Sequence, residues 1–148
     1  MAISPRLRVR ALALPLAAIA LGGAMPVSQL KVEVAELRNA RGVLQFCLTA
    51  DPDNFPNCVD DARAVSRVVP AGDRAMRFDA LPHGNYAIAV FHDENANRKL
   101  DTFAGIPREG FGFSRNPRIG FGPPRFSAAR FAFGNDAQIQ QVKLRYML

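Results

Sequence analysis

The stretch Leu81-Pro82-His83-Gly84-Asn85-Tyr86-Ala87-Ile88-Ala89-Val90-Phe91-His92 is where the fold of this 148-residue chain can be read. A Pro-His-Gly turn hands over to strict alternation, with Tyr86, Ile88 and Val90 on one face and Ala87 and Ala89 on the other. A Gly two residues before a Tyr at a strand entry resembles the corner of Greek-key sandwiches, where the Tyr hydroxyl bonds back to nearby backbone. The same period recurs on both sides. Leu30, Val32 and Val34 alternate with Lys31 and Glu33, and Leu44, Phe46 and Leu48 with Gln45 and Cys47. Shorter runs lie at Val65–Val69, Met76–Phe78 and Phe131–Phe133, and Val142, Leu144 and Tyr146 close the set. Helical periodicity does not appear. The pattern predicts an all-β chain: one antiparallel Greek-key β-sandwich, immunoglobulin-like or transthyretin-like, of about seven strands.

One segment interrupts this regularity. Residues 102–125 show no clear strand and form a long Gly/Phe-rich loop, with Phe103, Phe111, Phe113 and Phe121 spaced among glycines. Loops of that length in compact domains are usually functional, and the aromatic content argues against disorder. Arg108, Arg115, Arg118 and Arg125 face only Glu109 within it.

The overall charge of +6 suggests a nucleic-acid partner until its distribution is considered. Arg6, Arg8 and Arg10 precede an apolar run from Ala11 to Leu21 and the small residues Gly22, Gly23 and Ala24. This is the layout of a secretory signal peptide, with cleavage expected after Ala24 and the β-sandwich domain occupying 25–148. The run is too short for a transmembrane helix, so the mature chain should carry no transmembrane anchor. Past the signal, 16 basic side chains face 13 acidic ones, leaving +3, concentrated after residue 101. The expected location is periplasmic or secreted. The expected partner is an envelope component or small ligand rather than nucleic acid; the sequence leaves the oligomeric state open.

Export places Cys47 and Cys58 in an oxidising compartment, where a disulfide closing the turn-rich segment between them is expected. The strand from Tyr86 then delivers His92-Asp93-Glu94-Asn95-Ala96-Asn97-Arg98-Lys99-Leu100-Asp101. Oxygen-bearing side chains at Asp93, Asn95, Asn97 and Asp101 fall at positions 1, 3, 5 and 9 of a calcium-loop spacing, with the Lys99 carbonyl at position 7. Such alternation converges oxygens on one point, as a hard cation requires. Arg98 stands where that loop uses Gly and Ala104 where it uses a bidentate Glu, although Glu109 could substitute. The competing reading is an Asx-rich turn capping its own backbone. Calcium is the one cofactor the residues suggest, and none is required.

No nucleophile motif accompanies His92, whose parity with Tyr86, Ile88 and Val90 places it at the end of the same face. The expected binding surface comprises His92, Arg108, Phe111, Phe113, Ser114 and Arg115. The residues therefore point to a non-enzymatic binding or envelope-associated module. The alternative is a metal-assisted hydrolase using His92, Asp93 and Asp101.

Gly84-Asn85-Tyr86, His92-Asp93-Glu94-Asn95-Ala96-Asn97, Leu100-Asp101, Gly105–Ser114 and Gly122-Pro123-Pro124-Arg125-Phe126 together resemble a family of small exported bacterial proteins, the domain of unknown function numbered 2141. The likeness covers about Leu30 to Leu148. It implies export and an all-β sandwich, and it implies that the polar loop and the Gly/Phe loop belong together.

Overall fold

Alternating apolar residues must bury one face, and two such sheets do so against each other. The computed structural model describes residues 28–134 and 136–148. The signal peptide expected at residues 1–24 lies outside the described residues. The strands are β1 (Gln29–Ala35), β2 (Val43–Thr49), β3 (Val65–Pro70), β4 (Ala75–Asp79), β5 (Gly84–Asp93), β6 (Thr102–Phe103), β7 (Ile106–Pro107), β8 (Gly110–Phe113), β9 (Phe131–Phe133) and β10 (Gln138–Lys143). A one-turn helix, α1 (Phe126–Ala129), precedes β9.

One sheet has the order β10-β1-β4 and the other β3-β2-β5-β8, with β9 also pairing β5. The chain changes sheet between β1 and β2, between β3 and β4, between β4 and β5, and again before β10. Leu30, Val32, Phe78 and Val142 of the first sheet and Leu44, Phe46, Ile88 and Val90 of the second form one buried core. The expected corner is present: the Tyr86 hydroxyl donates to the Pro82 carbonyl at 2.8 Å.

Three expectations are corrected. The sandwich is not wholly antiparallel, because β1 pairs β10 in parallel, Val34 opposite Val142. The last strand occupies 138–143 rather than running through Tyr146, since Gln138-Ile139-Gln140-Gln141 pairs with β1 despite its polar look. The Gly/Phe segment holds three short strands: the β6–β7 hairpin, and β8, which pairs β5.

The glycines of β8 explain why it escapes pattern reading. A Cβ on Gly110 would lie 2.5 Å from the Tyr146 ring, and one on Gly112 would lie 2.6 Å from the Lys143 carbonyl oxygen. The strand leaves out side chains on that face so the C-terminal segment can approach. Phe111 and Arg145 then exchange both backbone hydrogen bonds, at 3.0 and 2.8 Å, joining the two sheets along one side.

Candidate functional site

An acidic side chain at the end of a buried strand needs donors, and the polar loop supplies them from its own backbone. Asp93 ends β5 fully buried. Its Oδ1 accepts from the Asn97 amide at 3.0 Å, and its Oδ2 from the Arg98 amide and Gln45 Nε2, each at 2.7 Å. The Asn95 and Asn97 side-chain oxygens accept from the amides of Asn97 and Lys99. Their Nδ2 groups donate to Asp101 at 2.7–3.1 Å. Glu109, also buried, accepts from the Glu94 and Asp101 amides, both at 2.9 Å. The expected calcium ligands thus gather in one loop, where these oxygens satisfy amide hydrogens. Among the described residues, no three His, Cys, Asp or Glu side chains converge as a metal-holding group.

Gly42 sets the approach of the neighbouring turn. At φ +66°, a Cβ there would collide with the Asp93 carbonyl oxygen. Close contact lets Arg38, Asn39 and Arg41 reach Glu94, with Arg38 Nε at 2.7 Å, Asn39 Nδ2 at 2.9 Å and Arg41 Nη2 at 2.9 Å. Burial pushes Glu94 upward, but these donors together outweigh it and hold the carboxyl below the usual range. Arg38 also stacks its guanidinium 4.5 Å from the Tyr146 ring centroid and donates to the C-terminal Leu148 oxygen. This hub was missed by pattern reading, because its members lie far apart in sequence.

His92 ends the core face of β5, as its parity requires, and is fully buried. Its Nδ1 lies 2.8 Å from the Tyr146 hydroxyl and its Nε2 2.7 Å from the Arg41 carbonyl. Burial pushes the Tyr146 phenol upward. Ser114 is buried as well, accepting from the Ile88 amide and donating to the Ala129 carbonyl. His92 and Ser114 are therefore removed from the expected binding surface: both are buried, and their polar atoms are bonded inside the fold. Arg108 and Arg115 are exposed. The Arg108 carbonyl accepts from Arg38, and Arg115 Nη1 donates to the Arg130 carbonyl.

Phe111 and Phe113 of the expected surface are nearly buried, and both still line a cavity. They line the outer face of the β2-β5-β8 sheet, beneath two covering segments. One is the turn closed by the Cys47–Cys58 disulfide, whose Cα atoms are 5.5 Å apart. Its Phe55 packs edge-on against Phe113 and Phe126. The other is the β6–β7 hairpin with residues 119–123. Between them lies an apolar groove of about 560 Å³, lined by Leu100, Ile106, Phe111, Phe113, Ile119 and Phe121 among others. Beside it is a second cavity of about 330 Å³ that shares Phe111, Phe113, Leu100, Pro56 and Asn57 with the first. Phe121, Phe103 and Ile106 are exposed along this side. The density of Phe in 102–125 was the signal for the groove; its opposite wall, Pro56 and Asn57, carried none.

The bacterial family described as "Uncharacterized protein conserved in bacteria (DUF2141)" matches residues 32–141. That span contains the polar loop, the disulfide and most of the groove. No curated protein and no solved structure matches the chain.

Proposed function

The chain belongs to this bacterial family of uncharacterized proteins, and from that premise we propose that it is an exported, non-enzymatic binding module of the cell envelope. Its ligand site in this reading is the groove on the outer face of the β2-β5-β8 sheet. The observation that carries the proposal is the groove itself: about 560 Å³, with mainly apolar and aromatic lining. Small-molecule sites typically fall between about 300 and 1,000 Å³ and have such walls.

The non-enzymatic side of the reading is supported by His92, both of whose nitrogens are engaged inside the fold. Export is supported by the basic, apolar and small-residue succession of residues 1–24. The Asp93–Asp101 loop serves here as the hydrogen-bonded base from which the β6–β7 hairpin projects. A calcium role would require its carboxylates to exchange the amide donors they hold.

The direct test is binding of Nile red, a neutral apolar dye, followed by fluorescence. Saturable binding is expected, and replacement of the partly exposed Ile106 or Leu100 by Asp should abolish it while leaving Tm unchanged. Absence of dye binding by the folded wild-type protein would sink the groove as a ligand site. For the loop, calorimetric titration with calcium after chelator treatment should give neither heat nor a Tm shift. Stoichiometric heat would make it a cation site.

A further inference from the structure

A groove that is apolar along its length but charged at one end selects ligands by polarity as well as by size. The larger cavity is lined by no charged side chain, and the smaller adjoining one by a single charged residue, Arg98. Gln45, Asn57 and Ser66 line the same smaller cavity. No Asp or Glu lines either of them.

Arg98 is exposed, and among the described residues its guanidinium makes no hydrogen bond or ion pair. Its position does not depend on that side chain. The backbone amide of Arg98 is what donates to Asp93 Oδ2, at 2.7 Å. Asp93 in turn is held by Gln45 and by the Asn97 amide. The polar loop therefore fixes the Arg98 backbone at the groove's polar end while leaving the guanidinium to engage a ligand. A guanidinium presents a planar fork of donors that matches a carboxylate or phosphate. Leu100, Phe111 and Phe113, shared by the two cavities, continue from that end into the apolar trough.

We propose that the groove takes a single-chain amphiphile with an anionic head, its alkyl chain lying on Phe111 and Phe113 and its head at Arg98. This rests on the groove being the ligand site. A single cation suits a head of one or two negative charges, and the trough's volume suits one alkyl chain rather than a two-chain lipid.

The experiment measures displacement of Nile red from the purified protein by decanoate, decyl phosphate and 1-decanol, each below its aggregation concentration. Decanoate or decyl phosphate should bind about tenfold or more tightly than decanol, the scale of a charge-assisted hydrogen bond. Whichever of the two wins identifies the head as carboxylate or phosphate. Arg98→Gln should bring all three to within about twofold while retaining dye binding, which shows that the variant is folded; Arg98→Lys should keep part of the preference. If the dye binds and all three ligands displace it equally in the wild type, the anionic head is wrong and the groove stands. If a preference for the anions survives in Arg98→Gln, Arg98 is not its source. If the folded protein binds neither dye nor amphiphile, the groove reading and this inference fall together.

Discussion

Asp93 shows how one residue can hold a loop and end a strand at once. Its buried carboxylate satisfies two backbone amides and the Gln45 amide group. Asp93→Ala would remove three hydrogen bonds, each contributing about 0.5–1.5 kcal/mol. Urea unfolding should therefore register a loss of at least about 2 kcal/mol, with the midpoint moved and the slope kept. Glu94 supplies a pH signature. Its carboxyl is held below its ordinary value of 4.5, so its contribution to stability is complete above that value. The contribution is lost as pH falls through the lower, folded-state value. Glu94→Gln should be less stable than the wild type at neutral pH, and the gap should narrow below pH 4.5. A gap independent of pH would show that the Arg38 and Arg41 contacts do not depend on the charge. His92 and Asp93 were legible as neighbours with different duties, because parity alone puts them on opposite faces of β5. Arg38 and Tyr146 were not legible, since contacts across more than 50 residues leave no local trace.

At the level of elements, β8 and the disulfide-closed turn form two walls of one groove. The turn depends on Cys47–Cys58, which joins the end of β2's outer face to the segment carrying Phe55 and Pro56. Replacing both cysteines by Ser should lower stability by about 3 kcal/mol on the loop-entropy argument. It should also weaken Nile red binding, because Pro56 and Asn57 line both cavities. Loss of stability with dye binding intact would mean the turn is no wall. β8 depends on its glycines. Gly112→Ala places a methyl group against the Lys143 carbonyl and Val142, and overpacking of this kind costs about 1–3 kcal/mol. Chemical denaturation measures that cost, and no change would mean that the C-terminal segment yields freely. These glycines also account for the missed strand: period-two reading needs side chains on both faces, and β8 has them on one.

On the scale of the whole molecule, the sheets are joined along one side by the Phe111–Arg145 bridge. The opposite face of the larger sheet is left to the groove. No helix among the described residues is long and apolar enough to cross a membrane. Intact mass of the protein recovered from an exporting bacterial host should correspond to a chain beginning at Met25; an unprocessed chain retained in the cytoplasm would remove the export reading. The all-β class, the tyrosine corner, the disulfide pair and the face on which His92 lies follow from the residues alone. Each of these depends on residue type and short-range periodicity, which the chain carries locally. The parallel β1–β10 pairing, the burial of Ser114, the Glu94 hub and the groove come into being only in the folded chain. These arise where segments distant in sequence meet, and their energies reside in packing and hydrogen bonds that no single segment contains.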